Sequence, residues 1–353
     1  MSRYFSNKYE SLTPYTPGEQ PQDMQYIKLN TNESPFPPSL RAQELAANAA
    51  NSLQLYSDPE CRELVNIASS VFGVNTDEII FTNGSDEVLN FAFMAFCDDE
   101  HPAVFPNVTY GFYKVFAELN GIPYSEIPLK SDFTVNVGDY LNVNKTVFIA
   151  NPNAPTGIAL ETAKIEEIIK SNPDNIVVID EAYVDFGGQS VIPLIRKYDN
   201  LLVVGTFSKS RSLAGGRLGF GIANSALIRD LNTIKYSTNP YNINRMTAAA
   251  GIGALQDSKY FADNCNEIIR VRKWTECELK KLGFTFTDSK TNFIFARHEN
   301  ADGKQLYLKL KEKGVLIRHF DTELLGQYNR ITVGSEEQMK IFIEKVKQCL
   351  EEL

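Results

Sequence analysis

The sequence predicts an α/β fold, with a mainly parallel central sheet carrying helices on both faces and a smaller α+β domain beside it. Three observations predict it. From about residue 60 to about residue 222, short apolar, β-branched runs alternate with amphipathic windows. Beyond about residue 250 the texture changes to long, charged amphipathic windows with two isolated strand candidates between them. The length of 353 residues exceeds what one ordinary hydrophobic core supports. The expected division is a large domain over 41–250, with the arm 1–40 joining 251–353 in a small one.

The elements follow in order. Residues 1–40 are rich in Pro and turn formers and end in Asn32-Glu33-Ser34-Pro35-Phe36-Pro37-Pro38, which reads as an extended arm without packing of its own. Residues 63–72 read as an amphipathic helix and 78–82 as a strand. Residues 85–97 read as a helix with Ser85 at its N-cap. Further strands are expected at 103–105, 146–150, 176–180, 201–205 and 218–222, with helices over 110–120 and 160–170 among them. The second domain offers helices at 261–282, 303–313 and 336–352 and strands at 291–296 and 330–333. No fixed-period repeat exists, so solenoids and propellers are excluded.

Composition removes other classes. Hydrophobic residues make up 43% and charged residues 22%, which excludes disorder for the bulk of the chain. A net charge of −9 opposes nucleic-acid binding. No apolar run is long enough to span a bilayer. The opening residues lack an apolar signal core, so export is not expected. Five scattered cysteines without a CxxC pair read as reduced cytoplasmic thiols, and three histidines make a His-rich metal site or a Ser-His-Asp enzyme a poor fit.

Four segments carry chemistry. Thr206-Phe207-Ser208-Lys209 follows the strand LLVVG, at the carboxyl end of a sheet where open α/β folds bind ligands. A Ser-Lys pair by itself would read as surface lysine. Here Thr206, Ser208, Ser210 and Ser212 supply hydroxyls, and Arg217 lies in the Gly-rich turn LAGGRLG. Hydroxyls, an arginine and free backbone N–H groups make a phosphate grip, and a lysine beside one suggests a Schiff base to pyridoxal phosphate. Asp180 ends the aliphatic run IVVI, so its carboxylate reaches the same crevice and could keep a pyridine nitrogen protonated. A strand-end Asp is otherwise often a helix cap. Tyr183 could donate to a phenolate oxygen of the ring. Thr82-Asn83-Gly84-Ser85-Asp86-Glu87 joins a strand to a helix start, which turns N–H groups towards an anion. Asn151-Pro152-Asn153-Ala154-Pro155-Thr156-Gly157 makes a rigid turn at the sheet edge.

The set GSDE, NPNAPTG, DEAY and SK with LAGGRLG, in this order and spacing, resembles the fold type I pyridoxal-phosphate aminotransferases, class II. It is most similar to their histidinol-phosphate branch, nearly end to end. The resemblance implies an enzyme of histidine biosynthesis that moves an amino group between histidinol phosphate and 2-oxoglutarate. It implies that Lys209 holds the cofactor and shuttles a proton, and that Asp180 pairs with the pyridine nitrogen. Tyr183 would bond the ring oxygen. Ser85 and Asp86, through backbone N–H groups, would hold the phosphate with Thr206, Ser208 and Arg217. Tyr110 would stack on the ring, and Tyr56 would reach into the active site of a second subunit, implying a homodimer. Arg330 would bind a carboxylate and Arg318 the substrate phosphate, with Tyr15 and the arm around Asn32 closing over the imidazole end. One departure stands out. The family usually has Asn immediately before Pro-Thr-Gly as a second donor to the ring oxygen, and here that residue is Ala154. Either Tyr183 carries that bond alone, or Asn153 or a water substitutes. The neighbouring activities on such a scaffold are a threonine-phosphate decarboxylase and an aromatic amino-acid aminotransferase. An intact Lys209, Asp180 and Arg217 argue against a non-catalytic binding protein, and the absence of GxxxxGK[ST] and of a strand-following GxGxxG argues against a nucleotide binder.

Overall fold

The computed structural model describes residues 2–353. Its centre is a seven-stranded sheet in the order Ile79–Asn83, Leu218–Ile222, Leu201–Thr206, Val177–Asp180, Thr146–Ala150, Ala103–Pro106, Tyr124–Ile127. Leu218–Ile222 runs antiparallel to both of its neighbours, and the other pairings are parallel. The central strands are buried on both faces, as their unbroken aliphatic runs require. One apolar cluster fills each face of the sheet, and Phe93 stacks on Phe148 at 4.1 Å within one of them. The register aligns Ala150 with Asp180 and Thr206 with Gly219, while Thr82 also faces Gly219. The carboxyl ends of four strands therefore open on one edge.

A four-stranded antiparallel sheet follows, in the order Arg318–His319, Asn329–Thr332, Phe293–His298, Phe284–Phe286. It packs with helices Ser258–Lys281, Gly303–Glu312 and Glu336–Glu352 around a separate apolar cluster. The last helix starts in a capping box, with Ser335 and Gln338 each satisfying the other's backbone N–H. Among the described residues, no helix is long and apolar enough to cross a membrane.

The arm, one helix cap and four further elements differ from the sequence reading. The arm is packed at its end, because Ile27–Lys28 adds in parallel to Val315–Leu316 and Leu29, 1% exposed, enters the smaller core. Ser85 is the first helical residue and not the cap; Gly84 holds that place at φ 77°, leaving Ser85 and Asp86 in the first turn, where N–H groups have no helical partner. Strand Tyr124–Ile127 and helices Leu40–Ala49, Ser225–Thr238 and Arg245–Gln256 were not read. The strand YSEI is a partly exposed edge without an apolar run. Helix Arg245–Gln256 carries glycines because Leu40–Ala49 lies against it: a Cβ on Gly253 would sit 2.5 Å from the Ala42 Cα.

A glycine also sets the site edge. A Cβ on Gly219 would lie 2.2 Å from the Ser85 nitrogen and 2.3 Å from the Gly84 carbonyl carbon, both backbone. Gly219→Ala is expected to destabilise the fold by about 1–3 kcal/mol through overpacking. It should also weaken cofactor binding, because relief can come only by moving the turn 84–86. Thermal unfolding with and without added pyridoxal phosphate checks both effects.

Candidate active site

Lys209 lies in the turn after strand Leu201–Thr206, and its Nζ donates to the Thr31 carbonyl at 3.2 Å. Among the described residues no carboxylate pairs with it. Burial, with the nearby Arg330 charge, brings its amine down to about 8, against the pull of Glu33 and Asp86. Asp180 ends its strand 4% exposed and reaches the same cavity. Its Oδ2 accepts from the Tyr113 hydroxyl at 3.1 Å and its Oδ1 from the Ala182 N–H at 3.1 Å. Burial raises the carboxyl to about 6, which those two bonds oppose. An acid this enclosed, with neutral donors and no cation on it, is suited to receive a positively charged N–H.

At the phosphate end, helix Ser85–Phe96 presents its first turn to the cavity, and Ser85, Asp86, Thr206, Ser208 and Arg217 line it. The Thr206 hydroxyl donates to Ser208 Oγ at 3.0 Å and accepts the Ser208 N–H at 3.1 Å, which orients the turn. Arg217, at φ 53°, puts Nη2 2.9 Å from Asp86 Oδ2, and Tyr110 donates to Asp86 Oδ1 at 2.6 Å. One carboxylate thus ties the arginine to the aromatic ring. The cavity has a volume of about 310 Å³.

Tyr183 lines the same cavity with its ring edge-on to Phe293 at 5.1 Å. Asn32 Nδ2 donates to its hydroxyl oxygen at 3.0 Å, and burial keeps the phenol above its ordinary pKa. Asn153 spends its amide nitrogen on the Val108 carbonyl and the Thr156 hydroxyl, each at 3.0 Å, and its oxygen accepts from Thr109 at 2.9 Å. With that bonding it holds two loops together and does not line the cavity; Ala154 does.

A second cavity of about 420 Å³ adjoins the first at Lys209, Tyr110 and Tyr183. Arg330 and Arg318 both line it, and neither has a carboxylate partner among the described residues. Arg330 Nη2 donates to the Asn30 carbonyl at 3.0 Å, its Nε is buried without a partner, and its guanidinium lies 5.3 Å from the Phe293 ring. Arg318 donates to the Thr16 and Pro17 carbonyls at 3.3 Å each. Tyr15 closes this cavity, stacked on Phe112 at 4.3 Å, and Asn32 lines it as well. Two guanidinium groups without carboxylate partners, Arg330 enclosed and Arg318 partly open to solvent, form a site for a ligand with two negative groups. Tyr56 is not brought in: it is 78% exposed and stacks on Tyr241 at 4.5 Å. A larger cavity of about 540 Å³, around Arg62, Lys235 and Tyr236, lies apart from these residues.

The residues fit pyridoxal phosphate. The lysine is unpaired, the acid is enclosed without a cation, and the turn 84–86 is a cradle that a Cβ on Gly219 would displace. Sequence reasoning missed Tyr113, one helical turn after Tyr110, and Thr31 and Glu33 of the arm, which line the cofactor cavity. The i, i+3 spacing of two tyrosines on the helix read over 110–120 was the available signal.

This fold and site define a class. The family model for aminotransferase class I and II matches residues 24–346, and the chain belongs to that family. Histidinol-phosphate aminotransferase of Brachyspira hyodysenteriae is 51% identical over 352 residues, covering 99% of both chains. That of Clostridium beijerinckii is 46% identical over 351 residues, covering 99% of this chain and 98% of the relative. In fold the chain is similar to the solved histidinol-phosphate aminotransferase of Sinorhizobium meliloti in complex with pyridoxal-5'-phosphate, with a TM-score of 0.90 and 21% identity, covering 100% of this chain and 99% of that one.

Proposed function

We propose that the protein transfers the amino group of L-histidinol phosphate to 2-oxoglutarate, giving imidazole acetol phosphate and glutamate, as a step of histidine biosynthesis. The observation that carries this reading is the pair of cavities that meet at Lys209, one built for a phosphate and a protonated ring, the other holding two unpaired arginines. Identity to named relatives along the whole chain supports the choice of substrate.

When bound, pyridoxal phosphate supplies an electron-withdrawing ring that makes the substrate's α-hydrogen acidic. The chain's residues do the rest. Asp180 holds the proton on the pyridine nitrogen, oriented by Tyr113 and the Ala182 N–H. Tyr183 would donate to the ring oxygen, and Tyr110, which lines the same cavity, would cover one ring face. The N–H groups of Ser85 and Asp86, the hydroxyls of Thr206 and Ser208 and the Arg217 guanidinium bind the phosphate. Lys209 would hold the cofactor through its amine and, when free, would carry a proton between the substrate α-carbon and C4′ of the cofactor. Arg318 meets the substrate phosphate and Arg330 the carboxylate of glutamate or 2-oxoglutarate, while Tyr15 shields the reacting atoms from water. The exposed Tyr56 is assigned to the active site of a second copy in a cytoplasmic homodimer.

The test is spectroscopic. Purified protein loaded with pyridoxal phosphate is mixed with histidinol phosphate, then with a panel of amino acids and with phosphothreonine. Bleaching of the visible band by histidinol phosphate and its return with 2-oxoglutarate support the reading. Carbon dioxide release from phosphothreonine, or a wild type that takes up no cofactor, overturns it. Arg330→Lys keeps the charge but loses the two-pronged grip. It is expected to raise KM for 2-oxoglutarate about 10- to 100-fold, with a much smaller change in KM for histidinol phosphate. Initial rates against each substrate check this.

A further inference from the structure

We infer that Asn32 is a positioning residue for the cofactor's ring oxygen, acting through Tyr183 and standing in for the amide that Ala154 lacks. The inference rests on the cofactor reading above.

The structure turns the Asn32 amide with its oxygen towards Thr332 and its nitrogen towards Tyr183. Its backbone N–H donates to Thr332 Oγ1 at 2.9 Å, so that oxygen is an acceptor there. A hydroxyl has one proton. The Thr332 proton goes to Asn32 Oδ1, at 3.0 Å. Oδ1 is thereby the accepting side, and Nδ2 is the side that faces Tyr183 Oη at 3.0 Å. An amide nitrogen only donates. The Tyr183 oxygen therefore accepts from Asn32, and its own proton must be given elsewhere, with the cavity it lines as the open direction. The orientation is firmly held. Asn32 is 1% exposed, its carbonyl accepts from Asn292 Nδ2 at 2.9 Å, and Phe293 stands edge-on to the Tyr183 ring. The backbone at Asn32 has φ 57°, a left-handed conformation that Asn tolerates better than most residues.

The same geometry answers the departure at position 154. Ala154 presents a methyl group to the cavity, and Asn153 has spent its amide on the loops. The ring oxygen is left with Tyr183 as donor, and the arm supplies the bond that aims it. A donor on that oxygen draws electron density from the conjugated nitrogen bound to Lys209 and lowers that nitrogen's pKa. Without Asn32 the phenol proton is free to turn to other acceptors, and the nitrogen becomes more basic.

The experiment titrates the visible absorbance of the cofactor-loaded protein against pH, which reads the protonation of that nitrogen without turnover. Asn32→Gly removes the amide and accepts φ 57° without strain. The expected result is a midpoint raised by about one pH unit. In a Tyr183→Phe background the same substitution should add no shift, and Ala154→Asn on top of Asn32→Gly should bring the midpoint back towards wild type. If Asn32→Gly does not fold, Thr332→Val, which keeps the shape but frees the amide to turn, must raise the midpoint in the same direction. An unmoved midpoint in a folded variant, or an equal shift with and without the Tyr183 hydroxyl, overturns the inference while the cofactor reading stands. A wild type with no titrating band overturns the reading itself.

Discussion

Lys209→Ala should bind pyridoxal phosphate without attaching it and should lose amino transfer by at least about 10⁴-fold, since both the covalent anchor and the proton carrier go together. The visible band of the attached cofactor should be absent, and reduction with borohydride should leave no label on the chain. Phosphate-end contacts are untouched, so reversible binding persists. The pH dependence follows from the amine's position at about 8. Below that pH the group is protonated and cannot attack the cofactor's aldehyde; above it the free amine prevails. The rate of attachment to cofactor-free protein should therefore rise with pH through about 8 and level off beyond it. An ordinary lysine would still be climbing two units higher. Stopped-flow absorbance from pH 6 to 10 separates the two.

Asp180→Asn carries the second large effect. The amide has nearly the shape of the acid and can keep its oxygen on the Tyr113 hydroxyl or the Ala182 N–H, so the fold should hold. What it cannot do is hold a proton on the pyridine nitrogen by charge. Amino transfer is expected to fall about 10²- to 10³-fold in kcat, the size seen when one buried electrostatic partner of a developing charge is removed. Cofactor content, measured after denaturation, should fall far less. A variant that loses the cofactor together with the activity would assign Asp180 to binding alone.

The two residues with the largest effects were legible because a strand ends at each. Four aliphatics before Asp180 and the run LLVVG before Lys209 announce buried parallel strands, and a polar residue after such a run must surface at the sheet's carboxyl edge. Arg330 and Arg318 were legible only through resemblance. Nothing in their own windows says that strands Asn329–Thr332 and Arg318–His319 bring both arginines to a cavity shared with Lys209. Tyr113 was missed because its partner Asp180 is 67 residues away, a contact that only the packed fold creates. Asn153 was ambiguous in the sequence for the opposite reason. Next to Ala154 it was one of the substitutes offered for the absent amide, yet its side chain bonds the loops at Val108, Thr109 and Thr156. The arm was read as unpacked from its prolines, yet Leu29 is apolar where a short parallel ladder can form and Asn32 is placed to tie that ladder to the site.

The two linked cavities have a consequence for how such an enzyme can change. Most groups around the ring belong to the wide sheet and its turns, with the arm beside them, whereas Arg318 and Arg330 stand on the narrow antiparallel one. Selection can therefore rework what the protein accepts by altering a few side chains on two short strands, leaving the reactive machinery as it is. Old chemistry is carried forward intact while its customers are exchanged.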